Sequence, residues 1–308
     1  MSASPGPDAP PEILIIGAGS AGLTAATYLA RFLRRVLVAD AGDPRACWIP
    51  VSHNMPGFPA GITGGAILSR MREQAEEYGA VVEAGTVDDL QAIDGGFVAR
   101  LNGRDVTVRA VLLATGVVDH HPDLPGVEDA VRRSLVRICP ICDGYEATGR
   151  VIAVIGDSDA GVREAAFIRT YSDQVTLIHV GAADALTERA ALDRLGIQLA
   201  ETTIEQVHLE NDRVTAFSFG GRRMAFDMVY SALGTSPNAS LAETLGAARS
   251  EDDGRLVVDT RQETTVKGFY AAGDVVHGLN QIAVATAEAA VAATAIHNAL
   301  READGQTV

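Results

Sequence analysis

The chain is poor in cysteine and aromatics, and it lacks a long uninterrupted apolar run. Three cysteines in 308 residues exclude a disulfide-knit scaffold. Aromatic residues make up 5% of the chain, with Trp48 the single tryptophan. No uninterrupted apolar run reaches the ~18 residues that a membrane span needs. Met1 to Pro11 is rich in Ser, Ala and Pro and lacks the basic and apolar regions of a signal peptide. It is expected to be a disordered tail, and the cytoplasm is the expected compartment. Basic charge is also scarce: 25 Lys and Arg stand against 40 Asp and Glu, a formal net charge of −15. Nucleic acid and anionic membrane surfaces are therefore not expected as partners. What the chain does have is 47% hydrophobic residues, enough for packed cores in about two domains.

The stretch that carries chemistry is Cys139-Pro140-Ile141-Cys142-Asp143. Two intervening residues let the sulfurs close a small disulfide ring and reopen it to a dithiol. The adjacent carboxylic acid can supply or take up the proton that thiol chemistry needs. Half of a zinc site is the competing reading. Against it, the remaining cysteine is Cys47 and no histidine pair follows at finger spacing, so no metal site is expected.

A doubled pattern surrounds this stretch. Glu12 to Ile16 reads as a buried strand, followed by Gly17-Ala18-Gly19-Ser20-Ala21-Gly22, a helix over Leu23 to Leu33, a strand over Arg35 to Ala39, and Asp40. Such glycines permit a tight turn and close approach of a pyrophosphate to a helix N-terminus. The acid can accept hydrogen bonds from a ribose diol. Arg150 to Ile155, Gly156-Asp157-Ser158-Asp159-Ala160-Gly161, a helix to Thr170 and a strand over Gln174 to Val180 repeat the unit with degraded glycines.

Between and after these units, 43–65 reads as loop and Gly64 to Tyr78 as helix. Ala80 to Leu113 alternates, with turn signals at Asp94-Gly95-Gly96 and Asn102-Gly103, and reads as antiparallel strands. It ends in Ala114-Thr115-Gly116, small residues that let a strand end approach a ligand. His120 to Pro125 and Gly234 to Asn238 read as linkers, Asp184 to Leu195 as helix, and Ile197 to Tyr230 as strands and turns. Arg255 to Asp259 reads as a strand, and Gln281 to Leu300 as an alanine-rich helix.

The order of these motifs resembles the low-molecular-weight thioredoxin reductases from Glu12 to about Leu300. The resemblance rests on the first glycine loop, Asn54-Met55-Pro56-Gly57-Phe58, Ala114-Thr115-Gly116, the Cys-x-x-Cys-Asp stretch, and Ala272-Gly273-Asp274-Val275 with Gln281. It implies an α/β fold of two Rossmann-like, three-layer ββα nucleotide-binding domains, the second inserted into the first. The flavin domain would comprise 1–117 and 245–308, and the inserted NADPH-like domain 118–244. FAD would lie on Gly17, Gly19, Ser20, Ala21 and Gly22, with Asp40 on the adenosine ribose. Asn54, Ala114, Thr115 and Gly116 would complete that site. Gly273 and Asp274 would face the ribitol, and Gln281 with Ile282 the isoalloxazine. The resemblance makes Cys142 the flavin-facing sulfur, Cys139 the one that attacks the substrate disulfide, and Asp143 the acid/base. A homodimer and a thioredoxin-like protein or small dithiol/disulfide substrate are implied with it.

The chain departs from the family at the second fingerprint. NADPH-using members carry Gly-x-Gly-x-x-Ala there and a His-Arg-Arg cluster after the next strand. Here Gly156 and Gly161 flank Asp157 and Ser158, and the strand ends in His179-Val180-Gly181. Each charge-assisted bond to a 2′-phosphate is worth roughly 1.5–3 kcal/mol. A carboxylate about 5 Å from a pyrophosphate adds roughly 3 kcal/mol of repulsion at an effective dielectric near 20. Efficient NADPH use is therefore not expected. A second FAD is a candidate occupant of this degenerate site. The family segment Gly-Gly-Gln-Leu is replaced around Ala46-Cys47-Trp48-Ile49. Trp48 is open between a ligand cover and a loop anchor, Cys47 is expected to be a packed small hydrophobe, and His53, His120 and His121 to be surface or hinge residues. Glu73-Gln74-Ala75-Glu76-Glu77 reads as a solvated helix face.

The expected function is an FAD-dependent dithiol/disulfide oxidoreductase that passes electrons between flavin and the Cys139-Cys142 pair. Its other partner would be ferredoxin, flavodoxin, a second flavin, or oxygen in a dithiol oxidase. The alternatives are a conventional NADPH-dependent thioredoxin reductase and a non-enzymatic flavin redox sensor.

Overall fold

The structure is a computed structural model that describes residues 10–121, 130, 133, 135–202, 204, 206–210, 213–219 and 221–307. Residues 1–9 of the expected disordered tail and most of the 120–125 linker lie outside the described residues. The chain divides into two compact units. One comprises residues 1–47, 63–118 and 236–308, and the other 48–62 and 119–235.

The first unit is built on a parallel five-stranded sheet. Strands β1 (Ile13–Ile16), β2 (Val36–Asp40) and β3 (Val81–Ala84) lie on one side of it. An antiparallel meander of β4 (Val87–Ile93), β5 (Gly96–Leu101) and β6 (Arg104–Val108) follows in the chain. The chain then re-enters the sheet with β7 (Ala110–Leu113) and, much later, β17 (Phe269–Ala271). The strand order is β17-β7-β1-β2-β3, all pairs parallel. The stretch Ala80 to Leu113 is thus not wholly antiparallel. Its two ends, β3 and β7, pair with parallel neighbours. Continuous burial of β7 on both faces is what a central parallel strand requires.

Successive side chains of a strand point to opposite faces, and β1 shows the consequence. Ile13 and Ile15 join an alanine-rich core with helices α1 (Ser20–Arg31), α2 (Gly64–Glu77) and α7 (Ile282–Ala303). Leu14 and Ile16 join a second core with Leu90, Phe97, Leu101 and Val108 of the meander. The layers are therefore meander, sheet and helices, the ββα arrangement the sequence suggested. On α2, Glu73, Gln74, Glu76 and Glu77 are exposed and Ala75 is buried, as a solvated face predicts. By length and average composition α7 is apolar enough to cross a membrane. Its Ala289, Ala292, Ala293 and Ile296 are wholly buried in the core shared with α1, however, and Glu288 interrupts the apolar run. The buried Glu12 carboxylate pairs with Arg34 at 3.1 Å, and Asp304 after α7 pairs with Arg109 at 2.7 Å, which fastens the last helix to the first strand's end.

The second unit repeats the plan. Strands β9 (Ile152–Gly156), β10 (Val175–His179), β11 (Gln198–Glu201) and β15 (Met228–Ala232) form a parallel sheet in the order β11-β10-β9-β15. A meander of β12 (Gln206–Glu210), β13 (Arg213–Phe219) and β14 (Arg222–Ala225) belongs to it. Ile152 and Val154 face a core shared with α4 (Asp159–Ile168) and α5 (Ala190–Leu195), while Ala153 and Ile155 face Phe217 and Phe226. The chain crosses between the units through β8 (Val117–Asp119) and β16 (Thr235–Pro237), which pair with each other.

Four further sequence expectations change. Residues 48–62 group with the second unit, because Trp48 packs on its core and Ser52 bridges to Ile62. The return crossing comes at 235/236 and not at 244/245, because Ala239 and Ala242 around α6 (Ser240–Thr244) pack on the first unit's meander core. Arg255 to Asp259 makes isolated bridges among the described residues, Leu256 to Arg249 and Val276, and Val258 to Thr264. The helix expected over Asp184 to Leu195 is shorter, because residues 187 and 188 are held elsewhere.

Candidate functional site

In the first unit the glycine loop is shaped by backbone contact. Gly17 has φ +110°, and a Cβ there would overlap the carbonyl oxygen of Ala114. A Cβ on Gly22 would overlap the carbonyl of Gly17. Both glycines are fixed by packing of turn, sheet and helix. Gly19 differs: a Cβ there meets nothing within 4 Å. Gly19 is also the N-cap of α1, no side chain caps that helix, and no acid lies in its first turn. Open space in front of uncapped N–H groups fits a pyrophosphate.

The other expected cofactor residues of this unit gather around the same sheet edge. Ala114, Thr115 and Gly116 follow β7, and Gly116 has φ +65°. The Thr115 hydroxyl donates to the Asn238 carbonyl at 2.7 Å, and the Asn238 amide donates back to Thr115 at 3.1 Å. Asp40 closes β2 and accepts from the Gly42 N–H at 3.0 Å and from Arg72. Gly273 has φ +81°, and a Cβ there would lie 3.0 Å from Ala21 Cβ. Its N–H donates to Glu288 at 2.8 Å. Burial pushes the Glu288 carboxyl up, and the Gly273 N–H pulls it back. Asp274 pairs with Arg45 at 3.5 Å. Arg255 clamps the loop from beneath through the carbonyls of Asp274 and Val276, at 2.9 and 3.1 Å. Gln281 and Ile282 open α7. This donor set fits FAD: the loop at Gly19 and Ser20 would hold phosphate, and Asp40 a ribose. Sequence reading missed Arg255 and Glu288. Their signal was weak, an arginine at the edge of an acidic turn and a glutamate within an alanine-rich helix.

Asn54 lies with the other unit. It accepts from the Ser52 hydroxyl at 2.8 Å, and its amide lies 3.4 Å from the carbonyl of Ile141. Trp48 is a loop anchor: it packs on the second unit's core, and its ring centroid lies 6.3 Å from that of His121. Cys47 is exposed, which corrects the expectation of a packed residue. It stands in a one-turn 3-10 helix, Arg45–Trp48, none of whose residues is buried. Partial desolvation and the charges of Asp43 and Asp40 push its thiol up. His53 and His120 are exposed, as expected of surface or hinge residues, and His121 is half-buried.

In the second unit Cys139 and Cys142 form a disulfide, Sγ–Sγ 2.04 Å. Helix α3 (Pro140–Asp143) carries it, with Pro140 at the first helical position, where a missing N–H costs nothing. Asp143 is half-buried and held on both oxygens: Arg137 donates to Oδ2, and the Tyr230 hydroxyl donates to Oδ1 at 2.9 Å. Burial pushes its carboxyl up, and Arg137 and Tyr230 pull it partly back. The sequence reading missed both partners. Arg137 stands two residues before Cys139, and Tyr230 is a phenol inside an apolar strand. Each clue was visible only as a polar group out of pattern. The arrangement supports thiol-disulfide exchange with a carboxyl group beside the sulfurs.

The second glycine loop is arranged differently from the first. Gly156 and Gly161 approach so closely that a Cβ on either would lie 2.7–2.9 Å from the other's Cα. Ser158 is the N-cap of α4, but its hydroxyl donates to Asp157 at 3.0 Å and caps nothing. Asp159 occupies the first turn of α4 and accepts from the Thr187 hydroxyl and from the Glu188 N–H at 2.9 Å. Those bonds hold its carboxyl below the usual range, and they keep residues 187 and 188 out of a longer α5. A Cβ at Gly181 would overlap the carbonyl of Asp157. Two neighbouring arginines are committed to carboxylates, Arg163 to Glu188 at 2.7 Å and Arg189 to Glu201 at 2.6 Å.

Known proteins share this architecture. Residues 11–289 match the family of pyridine nucleotide-disulphide oxidoreductases. A thioredoxin reductase of Mycolicibacterium smegmatis is 32% identical over 298 residues, 92% of this chain and 94% of the relative. That of Bacillus subtilis is 29% identical over 306 residues, 94% and 95% of the two chains. The crystal structure of HlmI superposes with a TM-score of 0.88 at 31% identity, covering 97% and 95%. With its glycine loop, its Cys139–Cys142 disulfide and its paired ββα units, the chain belongs to the pyridine nucleotide-disulphide oxidoreductases, as a flavoprotein disulfide oxidoreductase of the low-molecular-weight thioredoxin-reductase type.

Proposed function

We propose that the protein exchanges electrons between a single FAD, held on the Gly17–Gly22 loop, and the Cys139–Cys142 disulfide, without efficient use of NADPH. FAD supplies the two-electron chemistry. The chain's own residues hold it, keep the disulfide beside Asp143, and move protons at the sulfurs. The partner is a thioredoxin-like protein or a small dithiol or disulfide.

One observation carries the NADPH part of the reading: the degenerate loop is filled from within. Asp157 in the turn and Asp159 in the first turn of α4 add two negative charges beside the helix N-terminus, and the carbonyl of Asp157 takes the space a side chain at Gly181 would need. Arginine at that position is therefore sterically barred as well as absent. The remaining electron donors or acceptors are ferredoxin, flavodoxin, a second flavin or oxygen. A second FAD in this loop is disfavoured by the same two carboxylates, because its pyrophosphate would meet the same repulsion.

The test is anaerobic stopped-flow reduction of the purified, FAD-loaded protein. Dithiothreitol should bleach the flavin readily through the Cys pair. NADPH at millimolar concentration should do so slowly. Rapid reduction at micromolar NADPH overturns the proposal in favour of a conventional NADPH-dependent thioredoxin reductase. FAD quantified per chain after mild purification should be one, and two would reinstate the second flavin.

A further inference from the structure

The residues around the disulfide include a second carboxyl that thiol exchange at Cys139 and Cys142 does not by itself require. Glu164 lies on α4, flanked along the helix by Gly161 and Ile168, both buried. That helix packs against α3 and against β15, which carries Tyr230. Oε1 of Glu164 is buried and has no hydrogen-bond partner among the described residues. Asp143 is the opposite case, with Arg137 on one oxygen and Tyr230 on the other. A buried carboxylate without a partner is expensive, and such a group stays neutral by keeping its proton. Two carboxyls close together do not both ionise readily, so the better-held one loses its proton first. Asp143 is the better held.

We propose that Glu164 is a positioning residue of the disulfide site: it stores the proton that Asp143 delivers to, or takes from, the cysteine sulfurs. This inference rests on the thiol-exchange reading. When an external dithiol reduces the pair, its thiolate attacks one sulfur and the Cys139–Cys142 bond breaks. Its second thiol then closes the substrate disulfide. Two electrons and two protons pass from the dithiol to the two cysteines. Glu164 passes its proton to the ionised Asp143, Asp143 hands it to the leaving sulfur, and a proton released by the dithiol refills Glu164. The charged and titratable groups around the pair are Arg137, Tyr230 and Glu146, with His53 4.0 Å from Glu146. Tyr171 covers Gly144, where a Cβ would lie 2.6 Å from its ring. None of the interactions described for these groups reaches Oε1 of Glu164. Burial, and then the charge of Asp143, push the Glu164 carboxyl up to about 8, which places the store at the upper edge of the neutral range.

Two readouts test this on the full chain. The first is infrared spectroscopy of the oxidised protein without any substrate. A protonated-carboxyl carbonyl stretch should be present at pH 7, titrate away near pH 8, and vanish in Glu164→Gln. Its absence from the wild type, or its survival in the variant, overturns the proposal. The second is the rate at which dithiothreitol reduces the disulfide, read by alkylation of the released thiols. Gln keeps the shape but cannot carry a proton, so the Glu164→Gln rate should fall about tenfold behind the wild type at pH 6, where Glu164 is protonated, and the gap should close above pH 8, where the wild-type store is empty. Identical pH profiles overturn the proposal. A wild-type disulfide inert to every dithiol would instead defeat the thiol-exchange reading, and the infrared band would still decide whether Glu164 holds the proton.

Discussion

The two glycine loops of this chain occupy equivalent places, between the first strand and first helix of a ββα unit, and they have kept different glycines. The first keeps all three. Gly17 and Gly22 are held by overlap with backbone, and Gly19 faces open space. The second keeps Gly156 and Gly161, which touch each other, and has Ser158 where Gly19 would stand. The glycines that pack strand against helix survive in both. The glycine that would face a phosphate survives in one only. A helix N-terminus without acids opens the first loop, and Asp159 fills the first turn behind the second. Packing and ligand binding impose separate demands on such a loop, and the two glycines the second loop keeps are the ones that packing demands.

The largest expected effect breaks the comparison at Gly17. Gly17→Ala puts a methyl onto the Ala114 carbonyl at a φ of +110°, a strained position costing about 1–3 kcal/mol before the overlap is counted. The variant should lose FAD, measured as the flavin-to-protein absorbance ratio. Gly161→Ala should leave that ratio intact while lowering the melting temperature of the second unit. Equal flavin loss in both variants would defeat the assignment of FAD to the first loop.

Next come the cysteines. Cys139→Ser and Cys142→Ser should both abolish dithiol-driven flavin reduction. Only Cys139→Ser should show a long-wavelength charge-transfer band, because Cys142 is assigned to the flavin side. The band in Cys142→Ser alone would reverse the two roles.

A smaller effect sharpens the comparison by rebuilding the second loop. Asp157→Gly with Ser158→Gly and Val180→Arg removes one carboxylate and adds one phosphate ligand. One charge-assisted contact is worth roughly 1.5–3 kcal/mol, so affinity for NADPH should rise about ten- to hundredfold. Adding Gly181→Arg should cancel the gain and destabilise the fold, since that side chain meets the Asp157 carbonyl. A titration of flavin reduction against NADPH concentration reads both.

Much of this was legible in the sequence because it is written in period and spacing. The ββα plan follows from buried strands such as Ile13–Ile16 and Ile152–Gly156, and from the glycines after each. What escaped depends on contacts distant in sequence. Asp143 is held by Tyr230, 87 positions away, and no local pattern pairs them. Residues 48–62 look like a loop of the first unit and pack with the second, because Trp48 finds its apolar contacts there. Thr187 and Glu188 leave a helical pattern because Asp159 captures them. Cys47 was misread because a lone cysteine is more often buried than exposed.

The smallest effect compares two tyrosines, each on an edge strand of its own sheet. Tyr230 on β15 donates to Asp143 at 2.9 Å, and Tyr270 on β17 is equally enclosed, 2% exposed, in the unit without cysteines. Burial pushes both phenols up, Tyr270 to about 12. Tyr230→Phe removes one hydrogen bond to the Asp143 carboxylate, and a net loss of about 1 kcal/mol in stability is expected. The sign with pH follows from the direction of the Asp143 shift. Its folded pKa is raised above its unfolded value, so the folded state holds the proton more tightly. That preference favours folding below the unfolded value and is lost as pH rises through the folded one. Without the phenol the carboxylate is less favoured, so the folded pKa climbs further and the window over which stability declines widens upward. The pH profile of disulfide reduction should move up with it. Tyr270→Phe should leave that profile where it is. Urea unfolding at several pH values and alkylation-quenched reduction rates measure the two effects, and a profile shifted equally by both substitutions would remove Tyr230 from the proton path at Asp143.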